Sequence, residues 1–252
     1  MSPRSVRTAL VLPVVALLGV TAAACDDPGG LEGAGATPSA VGPARLWPEL
    51  PPATNDRQDD LGDAEPETVP GIKAPEADLR EADALAVVQA EVRAHPGGAG
   101  EQSGEDALPE GIAAKILACE GQAGDKDCPV LAPYYRDLTG NGRDELILGI
   151  NLGDRDAYGI GIRVYTHDTE GSGRLLRIMS TTQPVISAEL AGQDLIVRSP
   201  AHFGGYEFRD VWSWDAASRS MLPTRMEIVR APDADGPSRP ALSDAPTPTD
   251  PH

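Results

Sequence analysis

The sequence predicts an α+β fold: two N-terminal helices followed by an antiparallel β-meander sheet, with a disordered linker before it and a disordered tail after it. Three observations predict it. Apolar side chains recur at three-and-four spacing in two stretches between residues 81 and 119. From Val130 the period changes to two, in runs rich in β-branched and aromatic residues. The connectors between those runs are hairpin-length and built from Gly, Asn and Ser. Helices followed by a run of strands form a segregated α+β architecture, in this case possessing one sheet that can curl.

The first helix is expected over Glu81 to His95, where Leu85, Val88 and Val92 share a face and Pro96-Gly97-Gly98 stops the pattern. A shorter second helix spans Pro109 to Cys119, with Ile112, Ile116 and Leu117 repeating the spacing. Strands are read at Val130 to Arg136, Glu145 to Asn151, Tyr158 to His167, Arg174 to Thr181, Pro184 to Leu190, Asp194 to Ser199, Tyr206 to Asp215 and Met221 to Val229. Leu195, Val197, Val211 and Ile228 are candidates for the buried face. Cys119 and Cys128 close a short loop. In an exported chain this pair reads as a structural disulfide, since it lacks the C-x-x-C spacing and basic setting of a redox-active dithiol.

The flanks explain an unusual composition. The chain has 252 residues, of which 27 are Gly and 24 Pro, and 39 Asp and Glu oppose 21 Lys and Arg for a net charge of −18. Such acidity excludes nucleic acid as a partner, because phosphate recognition needs a basic face. Residues 26 to 80 hold 12 acids, 4 bases, 9 Pro and 7 Gly with no apolar periodicity, so residues 25–80 read as a disordered tether that cannot offset its ordering entropy. One apolar patch interrupts it, Leu46-Trp47-Pro48-Glu49-Leu50, which reads either as an incidental cluster or as a segment that docks on the domain or a partner. Residues 231–252 form a Pro-rich acidic tail, which leaves one domain over residues 81–230.

Residues 1–24 have the layout of an export signal: two cations before Thr8, then an apolar run from Thr8 to Val20 that is too short to span a bilayer. Thr21-Ala22-Ala23-Ala24-Cys25 follows and resembles a bacterial lipobox, with Ala22 where that motif usually has Leu. The resemblance implies lipidation at Cys25 and an anchor on the outer face of the cell membrane. Ala22-Ala23-Ala24 also fits ordinary signal peptidase, which would release a secreted protein.

Asp137-Leu138-Thr139-Gly140-Asn141-Gly142-Arg143-Asp144-Glu145 resembles the strand-linking loops of FG-GAP and integrin-propeller repeats, which bind calcium. The side chains of Asp137, Thr139, Asn141 and Glu145, with the Arg143 carbonyl, supply oxygens at alternate positions. Few of them are charged, which places any Ca2+ site in the weak extracellular class, and no other cofactor is expected. The same residues also read as a hairpin turn, with Asn141-Gly142 at its apex and Asp137 capping its own backbone.

The succession DLTGNGRDELILGI, AYGIGIRVY, PVISAELAGQDLIV and DVWSWDA, over residues 130 to 215, resembles the CseA-type lipoproteins of actinomycetes. That family's members are encoded beside a two-component system and an envelope-stress sigma factor. The resemblance implies a non-enzymatic regulator that restrains a membrane sensor kinase from outside, or binds another envelope protein, and it transfers no site residues. The alternatives are a calcium-dependent wall or glycan binding module and a secreted hydrolase.

For the hydrolase, Ser199, His202 and Asp210 are read as a candidate triad and Asp154 with Asp156 as a carboxylate pair, but no G-x-S-x-G elbow surrounds Ser199 and GDRDAYG reads as a polar turn. Phe203, Tyr206, Trp212 and Trp214 concentrate aromatics beside flexible glycines. They read either as core or as an exposed platform for a partner.

Overall fold

A computed structural model describes residues 42–53, 65–95, 108, 111–153, 159–168 and 172–231. Helix α1 (Ala84–Ala94) starts where the Asp83 side chain accepts a hydrogen bond from the Ala86 amide, and it buries Leu85, Val88 and Val92. Helix α2 (Ile112–Ala118) begins after Gly111, whose φ of 86° suits glycine, and buries Ile112 and Ile116. A single 3-10 turn at Leu79–Glu81 precedes α1.

Among the described residues, ten strands form two antiparallel sheets. The first sheet holds β2 (Glu67–Lys73), β3 (Tyr134–Arg136), β4 (Glu145–Asn151), β5 (Ile160–His167) and β6 (Arg174–Gln183) in the order β2-β6-β5-β4-β3. The second holds β1 (Ala44–Leu46), β7 (Ser187–Ala191), β8 (Asp194–Pro200), β9 (Tyr206–Asp215) and β10 (Ser220–Arg230) in the order β1-β7-β8-β9-β10.

This corrects the expected fold class. The described residues are mostly β, with two sheets and two short helices, not a two-helix α+β domain with one sheet. The strand meander exists, but between β6 and β7 it leaves one sheet and enters the other through Pro184. The first sheet is therefore covered on both faces. Leu146, Leu148, Ile150, Tyr165 and Leu175 pack against the helices. Ile147, Ile162, Val164, Leu176 and Ile178 pack against Ala188, Leu195, Val197, Trp212 and Met221 of the second sheet. Its strand β4 is accordingly apolar on both sides, Glu145 to Ile150 all being buried.

The expected linker needs a second correction, since its described portions, 42–53 and 65–80, belong to the fold. Strand β1 pairs with β7, placing Ala44 opposite Leu190, and β2 pairs with β6. Trp47 follows β1 at a positive φ of 43° and is 2% exposed. Its indole Nε1 donates to the Ala132 carbonyl at 2.8 Å, its ring meets Tyr134 edge-on at 5.6 Å, and it packs close to Gly149. A Cβ on Gly149 would come within 2.8 Å of that ring. The remainder of 25–80, residues 232–252 and residues 1–24, read above as a leader, lie outside the described residues.

Cys119 and Cys128 form a disulfide with Cα atoms 5.5 Å apart, tying the end of α2 to the segment that enters the first sheet at Val130. Replacing both cysteines by serine is expected to cost about 2–3 kcal/mol. The check is a lower urea midpoint, with any rise in slope reporting the more expanded denatured chain. Across the sandwich, the fully buried Asp168 carboxylate after β5 accepts from Arg174 at 2.8 Å and from Arg219 of the β9–β10 turn at 3.1 Å, which fastens the two sheets together.

Candidate functional site

The Asp137–Glu145 loop joins β3 to β4, so the strands on either side set its span. Asp137 Oδ1 accepts from the amides of Gly140 at 2.7 Å and Asn141 at 3.2 Å, and its Oδ2 accepts from Gly142 at 3.0 Å. Asn141 Oδ1 accepts from the Arg143 amide at 2.8 Å. Glu145 is fully buried. Its Oε2 accepts from the amides of Leu138 and Thr139 at 2.8 and 3.0 Å, and its Oε1 from the hydroxyls of Thr166 and Thr139 at 2.8 and 3.3 Å. Burial pushes the Glu145 carboxyl up despite those bonds. The structure thus brings Asp137, Thr139, Asn141 and Glu145 into one loop, with both carboxylates turned onto N–H and O–H donors. Among the described residues, no group of three or more His, Cys, Asp or Glu side chains is placed to hold a metal ion.

The aromatic cluster divides. Trp212 is fully buried in the core between the sheets and Trp214 is half-buried against it. Phe203 and Tyr206 are 49% and 47% exposed, with ring centroids 5.7 Å apart. Tyr206, Phe208 and Trp212 share one face of β9 by the period of two. That face is core at Trp212 and becomes surface toward Tyr206.

Strand β10 continues the surface. Ile228 sits opposite Phe208 and Met226 opposite Asp210, and both are 54% exposed. The expectation that Ile228 is buried is therefore corrected: past the bulge between Pro223 and Arg225, β10 no longer lies over the core. Leu195 and Val197 are buried as expected, whereas Val211 is buried on the opposite face, paired with Ile196. Phe203, Tyr206, Met226 and Ile228 are four of the five large apolar side chains strongly exposed among the described residues.

Of the residues weighed for catalysis, Ser199 and Asp210 are buried and His202 is exposed. Ser199 Oγ is buried with no hydrogen-bond partner among the described residues, and the His202 ring faces Phe208 at 6.3 Å. Asp154, Asp156 and Cys25 lie outside the described residues. No described helix is long and apolar enough to cross a membrane.

Sequence reasoning missed a polar network between α1 and the first sheet. The Tyr165 hydroxyl donates to Glu91 at 2.6 Å, and Arg177 donates to Glu91 at 2.7 Å and to Glu67 at 2.6 Å. His95 Nε2 lies 2.6 Å from Glu67. Burial and the adjacent Glu91 hold the Tyr165 phenol well above its usual range. In sequence Glu67, Tyr165 and Arg177 look like outward positions of alternating strands and Glu91 and His95 like the polar face and end of a helix, so only three-dimensional placement reveals them. Comparison with protein-family models, with curated proteins and with solved structures gives no match for any of the three.

Proposed function

We propose that this protein is a lipid-anchored, extracytoplasmic binding protein that acts by contact with another protein, as a non-enzymatic accessory regulator of cell-envelope stress signalling. The observation that carries the reading is the apolar surface of Phe203, Tyr206, Met226 and Ile228 at one end of the second sheet. Clustered exposed aromatic and aliphatic side chains of this kind mark partner contacts. The lipobox resemblance at Cys25 supplies the anchor, and the resemblance to CseA-type lipoproteins supplies the signalling context, with a sensor-kinase ectodomain as the partner.

The test uses the full chain in its own host. Deleting the gene is expected to derepress the envelope-stress response. A Phe203→Ser, Ile228→Ser double variant is expected to reproduce that derepression at unchanged thermal stability and protein level. A Cys25→Ala variant is expected to appear in the medium. A deletion strain with an unaltered response overturns the regulatory reading, and a double variant that restores full repression removes the patch from it.

The calcium-dependent alternative has less support, because the loop's two carboxylates already serve as turn caps. Titrating calcium to millimolar levels is expected to leave Tm unchanged, whereas a saturable rise lost in Asp137→Ala would restore the binding-module reading.

A further inference from the structure

Among the described residues, four strands bound the two sheets: β2 and β3 the first, β1 and β10 the second. An outer strand edge presents N–H and C=O groups that invite another strand, and three of these four edges are blunted. Strands β1 and β3 are each three residues long, and β2 carries Pro70 and Gly71 within a break of register. Strand β10 is different. Its Pro223 and its bulge lie in the half that covers the core, and from Arg225 to Arg230 it pairs with β9 in unbroken register.

One bond fixes which way its backbone groups point. The Ala231 amide donates to the Gly205 carbonyl at 2.9 Å, so by alternation Val229 with Glu207 and Glu227 with Arg209 are also hydrogen-bonded pairs of this antiparallel ladder. Ile228 and Arg230 therefore turn their own N–H and C=O away from β9, onto the outer edge. The Ile228 side chain is more than half exposed and belongs to the apolar surface described above. Backbone hydrogen bonds and an apolar contact are thus offered at the same residue.

Charge selects the occupant. In a chain of net charge −18 this stretch is cationic, with Arg209, Arg225 and Arg230 beside Glu227. Glu227 accepts from Arg209 at 2.8 Å and lies 3.9 Å from Arg225, whose side chain is 66% exposed. Arg230 is exposed at the end of the strand. A second copy of this chain would set one cationic edge against another, so the complement is an acidic segment of a different protein.

We propose that the outer edge of β10 takes an extended acidic segment of the partner as one more antiparallel strand, with an apolar side chain opposite Ile228 and carboxylates opposite Arg225 and Arg230. Resting on the reading that this surface is a protein contact, the strand site adds the mode of that contact and the chemistry of the segment. Main-chain bonds supply the attraction and alternate side chains the selectivity.

The probe is the blocked peptide acetyl-Glu-Thr-Val-Thr-Val-Glu-amide. Laid antiparallel, it places its carboxylates opposite Arg230 and Arg225 and its first valine opposite Ile228. In amide NMR of the full chain it is expected to shift the Ile228 and Arg230 signals saturably and to slow their hydrogen exchange. Replacing both glutamates by lysine should weaken binding about tenfold. N-methylation of the first valine, whose amide faces β10, should abolish it. Ile228→Pro deletes an outward N–H and no bond to β9, so it should abolish binding at unchanged Tm. Should Ile228→Pro fail to fold, the N-methylated peptide decides. No saturable shift at millimolar peptide, equal binding of the N-methylated peptide, or equal binding of the lysine peptide would each overturn the proposal. The deletion strain tests the regulatory reading separately: an unaltered stress response beside a bound peptide leaves the strand site standing and removes its signalling role.

Discussion

Replacing Trp47 with alanine is expected to destabilise the protein by about 3–5 kcal/mol, the range for truncating a large buried aromatic. The substitution removes a ring that is 2% exposed, leaves the Ala132 carbonyl without its indole donor, and opens a cavity over Gly149 and beside Tyr134. Trp47→Phe should recover part of the packing but not the hydrogen bond. Urea unfolding at constant slope measures both variants, and a loss below about 1 kcal/mol for Trp47→Ala would show that the segment after β1 only rests on the surface. A fragment beginning at Glu81 should fail to fold cooperatively, since it lacks β1, β2 and Trp47 together.

The second large effect concerns Arg177. Arg177→Met removes the cation from Glu91, which is 6% exposed, and should cost about 3–5 kcal/mol because a buried carboxylate is left without its charge partner. The double variant Arg177→Met, Glu91→Leu should recover much of that loss, and the difference measures their coupling.

Tyr165 offers a pH readout of the same network. Its folded pKa lies above its unfolded value of about 10, so its contribution to stability is fully present below pH 10 and is lost as pH climbs toward the folded value. Absorbance at 295 nm should therefore show Tyr165 ionising only as the protein unfolds. Early, reversible ionisation of all five tyrosines would contradict its burial.

Much of the strand pattern was legible. The bounds read for β4 and β9 match the structure, and so does the pairing of Cys119 with Cys128 expected from their spacing in a chain read as exported. What the pattern could not convey was how many layers the strands make. A period of two reports that a strand has two faces, and β4 is buried on both, so one sheet and two sheets give similar runs. Strands β1 and β2 were hidden because their stretches carry Pro, Gly and acids. Both are edge strands, where such residues are tolerated since only one side must pair. The apolar patch at Leu46-Trp47 was the local signal, and nothing local could say that its socket is formed by residues more than eighty positions later. In the candidate surface, Phe203 and Tyr206 were visible as exposed aromatics only once the end of the core at Trp212 was located.

The pairing of β1 with β7 also sets the order in which this protein can come into being. Ala44 meets Leu190, and Glu67 meets Arg177, so the earliest strands to emerge must wait for partners made near the end of synthesis. Such long-range closure makes folding slow, and the chain stays loose until almost all of it is available. A protein built this way remains threadable while it is being made, the condition that passage through a membrane channel would impose on the export proposed above.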